Sequence, residues 1–221
     1  MSAALAYDRA QPTWTLAGIF EALSTRFGGD TEPLDEPSVQ RLVEQARTGD
    51  RIAAQRLYQQ HVDRVFRVVR GMLRSNAEAE DVTQDAMLTV LTSLDRYSAR
   101  TDARFATWVT SIALNTARRR FRRRRPELTH TGELPDVEDE HSAPERDVDV
   151  ARQRSALLRA LADLAPVERE IVSLRYGAEL NASEIAEVVK LEPANVRKIL
   201  ERTRERLGVR IEALLQRGAS P

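Results

Sequence analysis

The chain has 221 residues, of which 31% are charged, 42% hydrophobic and only 5% aromatic, and its formal net charge is zero. This mixture argues against a β-sandwich or barrel and favours an all-α protein with modest cores. The absence of cysteine excludes disulfides and thiolate–zinc sites and fits a cytoplasmic setting, and no apolar run approaches the roughly 20 residues of a membrane span.

Residues 1–37 form a leader with a net charge of −4 and no secretory pattern. Trp14, Leu16, Ile19, Phe20 and Leu23 recur at helical spacing, which predicts a short amphipathic helix over Thr13 to Arg26, ended by Gly28-Gly29. Three fates remain open for it: docking on the protein's own modules, binding a partner, or no order at all.

Residues 38–125 carry a net charge of +9 and read as the first folded module. Ser38 is the expected cap of a helix holding Val39, Leu42, Val43 and Ala46. The Thr48-Gly49-Asp50 break opens a second helix with Ala53, Leu57, Val62, Val65, Phe66, Val69 and Leu73 on its apolar side. After Ser75-Asn76, a third helix runs from about Ala77 to Leu94 and carries Val82, Ala86, Leu88, Val90 and Leu91. A polar loop follows, Asp95 to Ala103. A fourth helix starts near Arg104 with Phe105, Trp108, Val109, Ile112 and Ala113. It runs into arginines at 118, 119, 120, 122, 123, 124 and 125, and Pro126 is expected to stop it.

Residues 126–150 hold three prolines and a net charge of −8. Such a stretch cannot bury enough surface to fold alone, so 126–149 reads as a flexible acidic linker with a reach of roughly 80 Å. Residues 150–221 form the second module. Leu157, Leu158, Leu161 and Leu164 make one helical stripe, and Pro166 opens the next helix. A short helix near Ser183–Lys190, a turn through Leu191, Glu192 and Pro193, and a longer helix over about Ala194–Leu215 form a helix-turn-helix. Ile185, Val189, Leu191, Val196 and Leu200 supply its seam. The second helix exposes Asn195, Arg197, Lys198, Glu201 and Arg202. Such a face can lie in a major groove and read base edges.

In the first module, aromatic residues beside arginines suit single-stranded nucleic acid, because bases stack on rings while guanidinium groups hold phosphates. Core packing is the competing reading for Phe105 and Trp108, and it is expected to hold for at least one of them.

The strings AEAEDVTQDAMLTVLTSLDRY, RFATWVTSIALNTARRR, LADLAPVEREIVSLRYGAELNASEIAEVV and ANVRKILERTRERL resemble the extracytoplasmic-function sigma factors, group four of the bacterial sigma-70 family. The resemblance covers about 38–125 and 150–215 and leaves the leader outside. It implies two helical domains, called region two and region four, and a role in transcription initiation with core RNA polymerase, through its β′ clamp and β flap, on promoter DNA. It also brings an anti-sigma factor into view as a partner. Asp81, Gln84 and Asp85 match the polymerase-binding surface. Arg96, Tyr97, Ser98, Arg104, Phe105, Trp108 and Asn115 match the area that opens the minus-ten element. Arg118, Arg119 and Arg120 match upstream duplex contacts. Asn195, Arg197, Lys198 and Arg202 match minus-thirty-five recognition.

The sequence departs from the family at Lys190, where the turn usually carries glycine, at Glu192, where a serine usually starts the helix, and at Ile199, often an arginine. These changes and the leader leave room for a second reading, a sigma-like adaptor that acts chiefly through protein contacts. An enzyme is not expected. Of the three histidines (His61, His130, His141) two lie in the linker, and no nucleophile–base pair, metal cluster or cofactor motif is visible.

Overall fold

The structure is a computed structural model that describes residues 15–21, 23, 33–73, 75–98, 104–131 and 148–217. The described residues include nine α-helices, a 3-10 turn and a π-helical segment, and none of these residues forms a strand. The helices are α1 (Leu16–Glu21), α2 (Glu36–Arg47), α3 (Arg51–Met72), α4 (Asn76–Thr92), α5 (Phe105–Thr131), α6 (Val148–Ala162), α7 (Pro166–Val172), α8 (Ala182–Val189) and α9 (Pro193–Arg217). A 3-10 turn covers Leu94–Arg96 and a π-helical segment covers Ser173–Gly177.

Helices α2 to α5 pack as the first module. Their starts are set by side-chain caps: Asp35 accepts from the Ser38 amide, Asp50 from the amides of Ile52 and Ala53, and Ser75 from that of Glu78. Each such cap is worth about 1 kcal/mol, because it satisfies an orphan amide of the first turn. The expected cap at Ser38 is thereby corrected. Asp35 takes that role and Pro37 lies inside the first turn, where its missing amide costs nothing.

Two further expectations change. Helix α5 does not stop at Pro126 but continues to Thr131. A proline removes a single hydrogen bond of the ladder, and its neighbours carry the helix past it. The predicted leader helix begins at Leu16 rather than Thr13. Leu16–Glu21 is helical, and positions 24–26 and the Gly28-Gly29 stop lie outside the described residues. So does most of the linker, 132–147.

Helices α6 to α9 form the second module, and its core does not stand apart from the first. Phe66, Val69 and Phe105 belong to one apolar cluster with Ile171, Leu174, Ile185 and Val196. Helix α3 lies directly on the π segment because two glycines permit it. A Cβ at Gly71 would sit 2.4 Å from Ser173 Oγ, and one at Gly177 would sit 3.0 Å from the Val68 amide nitrogen. A second cluster joins Leu157, Leu161, Leu164, Val172, Leu207 and Ile211 to Leu16, Ile19, Phe20 and Leu23 of the leader.

Candidate nucleic-acid interface

Helix α4 is amphipathic in an asymmetric way. Val82, Ala86, Met87 and Val90 are buried, while Asp81, Gln84 and Asp85 are exposed. Leu88 is 63% exposed and extends the same stripe. The spacing 81, 84, 85, 88 explains this, because positions i, i+3, i+4 and i+7 share one helix face. An acidic-polar stripe with one exposed leucine is a surface suited to a protein partner rather than to a polyanion.

The aromatic residues of the first module are largely structural. Phe105 is fully buried and Tyr97 is 3% exposed, with Trp108 half-buried beside them. Their ring centroids lie 5.0 to 5.5 Å apart, and the His61 ring meets Phe105 edge-on at 5.1 Å. Tyr97 and Phe105 therefore offer no free face to a base in this conformation, which corrects their direct-contact reading. These rings are buried because they pack into the apolar cluster that also holds Leu57, Phe66, Met87 and Leu114.

What the cluster does is fix the start of the loop after α4, residues 94–98, which carries Arg96 and Ser98. Gln40 donates to the Tyr97 hydroxyl at 2.6 Å, and Arg47 donates to the carbonyls of Leu94 and Tyr97. Burial pushes the Tyr97 phenol pKa up. Glu36 accepts from the Phe105 amide at 3.1 Å and so caps α5 from another helix. No sequence signal could have found that pairing across 69 positions. Arg96, Ser98, Arg104 and Asn115 all remain exposed around this anchored loop.

The arginine tract is divided in its partners. Arg118 makes a two-pronged pair with Glu170 of the second module at 2.7 and 2.5 Å. Arg120 pairs with Glu78 at 2.9 Å, and Asp81 and Asp85 add to the field that holds it charged. Arg119, Arg122 and Arg123 are exposed. Arg104 lies 3.7 Å from Glu184 on α8, so the start of α5 in one module faces the helix-turn-helix of the other.

In the helix-turn-helix, Asn181 caps α8 by accepting from the amides of Ser183 and Glu184, and Glu184 reciprocates to the Asn181 amide at 2.8 Å. Lys190 ends the helix in the left-handed conformation, φ 61°, which a glycine would adopt without steric cost. The turn thus keeps its geometry despite the substitution. The Glu192 carbonyl takes the first hydrogen bonds of α9, from Asn195 and Val196.

Asn195, Arg197, Lys198 and Arg202 are all exposed, but they do not share one edge. At about 100° per residue, Asn195 and Arg202 sit at one border of the exposed arc, Arg197 sits near the other, and Lys198 lies between them. Arg197 borders an open cleft of about 510 Å³ together with Arg175, Tyr176, Asn181, Glu201 and Arg204. Arg175 and Arg204 were not singled out from the sequence. The spacing 197, 201, 204 was the available signal for Arg204, and Arg175 had none. Among the described residues no group of side chains could hold a metal ion, and no helix is long and apolar enough to cross a membrane.

These features define an all-helical protein of two modules, the second with a helix-turn-helix. The first module matches the family model "Sigma-70 region 2" over residues 57–127, and the second matches "Sigma-70, region 4" over 160–207. The chain is 33% identical over 157 residues to the ECF RNA polymerase sigma factor BldN of Streptomyces coelicolor, a stretch covering 70% of this chain and 59% of that protein. It is 32% identical to the RNA polymerase sigma factor CarQ of Myxococcus xanthus, covering 75% of this chain and 92% of CarQ. The fold is similar to that of CnrH, solved in complex with the cytosolic domain of CnrY, with a TM-score of 0.59, 23% identity, and coverage of 80% and 98% of the two chains. The chain belongs to the extracytoplasmic-function sigma factors of the sigma-70 family and is a transcription initiation factor.

Proposed function

We propose that this protein binds core RNA polymerase through the α4 stripe of Asp81, Gln84, Asp85 and Leu88, with the β′ clamp as the docking site. The observation that carries this reading is the exposure of that stripe on a helix whose opposite face is core. The first module then opens the minus-ten element with the exposed groups around its anchored loop: Arg96, Ser98, Arg104 and Asn115. Trp108, half-buried, is the ring of the Tyr97–Phe105–Trp108 cluster most open to a displaced base. Tyr97 and Phe105 act by holding this loop in place. Arg118, Arg119 and Arg120 serve the upstream duplex, the first once it leaves Glu170. The second module reads the minus-thirty-five element through α9, with Lys198 central and Asn195, Arg197 and Arg202 flanking.

Domain limits of 38–125 and 150–221 remain a working division, with 126–149 as connector and α5 and α6 running into it from either side. The β flap is the proposed partner of the second module, and the cytoplasm, where polymerase and chromosome meet, is the proposed location. The protein contributes binding energy and DNA geometry rather than bond chemistry. The adaptor reading loses its main motive, since the turn at Lys190 keeps the left-handed geometry a helix-turn-helix needs. Run-off transcription with purified core polymerase tests the proposal. Wild-type protein should give promoter-specific transcripts and Asp85→Arg should not; transcription unaffected by Asp85→Arg and by Leu88→Asp would refute the α4 assignment.

A further inference from the structure

The leader lies outside both family modules, yet its helix is not loose on the surface. Leu16, Ile19, Phe20 and Leu23 are all buried, in one cluster with Leu157 and Leu161 of α6, Val172 of α7, and Leu207 and Ile211 of α9. All these partners belong to the second module. A helix of six residues has no stability of its own, so packing alone holds it there.

Its seat is the seam between the modules. Phe20 stacks on Tyr176 with centroids 5.9 Å apart, and its ring edge lies 3.2 Å from where a Cβ would stand on Gly71 of α3. Beside this buried face, Ala17 of α1 borders a cleft lined by Arg67 of the first module and by Arg175, Tyr176 and Glu179 of the second. Across this seam Arg67 donates to the Gly177 carbonyl at 2.9 Å and lies 3.6 Å from Glu179.

The covalent path gives this packing a consequence. Residues 24–35 join α1 to α2, which is part of the first module. By docking on the second module, α1 ties the two modules together at a second place, besides the segment 132–147. Promoter binding needs the opposite arrangement. The minus-ten and minus-thirty-five elements are separated by about 25 base pairs, or about 85 Å of duplex at 3.4 Å per step. Modules joined by a pair as short as Arg118–Glu170 cannot span that distance until the second swings away.

We propose that α1 is an intramolecular latch: it closes the second module onto the first, and its release is a condition for engaging both promoter elements. The transcriptional consequence rests on the promoter-binding function proposed above, whereas the closure itself does not. The partner that releases it is one that competes for the groove with an amphipathic helix of its own or that binds the apolar face of α1.

The chain lacks cysteine, so spin labels can be placed at will. Ile52→Cys in the first module and Val209→Cys in the second replace exposed residues, 67% and 62% accessible. Pulsed dipolar spectroscopy on the full-length labelled protein should give one short, narrow distance distribution. Phe20→Asp should shift it to longer, broader distances, and Phe20→Leu should restore the short one. In run-off transcription with subsaturating sigma factor, Phe20→Asp should lower the concentration needed for half-maximal transcript by about tenfold or more, as expected if the open form is a minor state of up to about 10%. Circular dichroism checks that helicity is retained. Should Phe20→Asp unfold the second module, the milder Ile19→Ala takes its place in both assays. An unchanged distance distribution in a folded variant would overturn the latch. A longer distance with no gain in transcription would overturn its regulatory part, and loss of transcription in the parent protein would instead count against the proposed function.

Discussion

Arg118 and Glu170 form a two-pronged ion pair across the two modules, with nitrogen–oxygen distances of 2.7 and 2.5 Å and side chains only 28% and 11% exposed. An arginine matched to DNA contact is thus held by a carboxylate of the same chain. Glu170→Gln should cost about 1–2 kcal/mol of stability, because a charged hydrogen bond is lost while Arg118 still reaches water. Urea unfolding of the single and double variants with Arg118→Gln would measure the coupling. Glu170→Gln should also tighten binding to a promoter fragment, and adding Arg118→Ala should cancel the gain. If affinity is the same with and without Glu170, Arg118 does not serve DNA.

Lys190 carries its positive φ of 61° at a steric cost that glycine would not bear. A left-handed conformation costs a non-glycine residue about 1–2 kcal/mol, part of which glycine returns as greater freedom in the unfolded chain. Lys190→Gly should therefore stabilise the protein by about 0.5–1 kcal/mol and raise the melting temperature, with promoter selectivity unchanged. A lower melting temperature would mean that the lysine side chain makes a contact that outweighs the backbone cost.

The helices, the two modules and the helix-turn-helix were legible because they rest on local periodicity and caps. The failures follow from physics that a linear pattern does not encode. Leu88 fits an apolar count, yet it falls on the face opposite Val82, Ala86 and Val90. Phe105 and Tyr97 have the composition of a base-stacking site, but whether a ring faces out depends on Gln40 and Arg47, some 50 residues away. Glu170 and Gly177 carry no sequence signal of their own. Their importance appears only when α3 lies against them. The acidic connector suggested independent modules, and the shared apolar cluster of Phe105, Ile171 and Ile185 shows that they pack together.

His61 is 5% exposed, and neither ring nitrogen has a hydrogen-bond partner. Burial, reinforced by nearby Arg64, pushes its pKa from the ordinary 6.5 down to about 3. Between those values the unfolded chain binds a proton that the folded chain refuses, so stability falls as pH drops below about 6.5 and stops falling near pH 3. At about 1.36 kcal/mol per pH unit, the loss from this residue alone is about 2 kcal/mol by pH 5. His61→Leu should remove that part of the slope. Chemical denaturation of both proteins at pH 7 and pH 5 checks it, and parallel losses in the two would show that His61 is not the titrating group.

Lys198 and Arg197 occupy different parts of the exposed arc of α9, and this separates their roles. Lys198 is central, where a helix in the major groove reaches base edges, so Lys198→Ala should cost about 1–3 kcal/mol on the preferred minus-thirty-five sequence and relax selectivity at one position. Arg197 lies at the border beside Arg175 and Arg204, a cluster of guanidinium groups suited to phosphate. Arg197→Ala should weaken binding nearly equally across sequences and reduce the slope of log affinity against log salt by about 1. Binding titrations on a set of single-substitution promoters at several salt concentrations distinguish the two. A uniform loss for Lys198→Ala with a sequence-selective loss for Arg197→Ala would turn the helix by about half its exposed arc in the groove. That outcome would make Arg175, rather than Asn195 on the far border, the neighbour to test next.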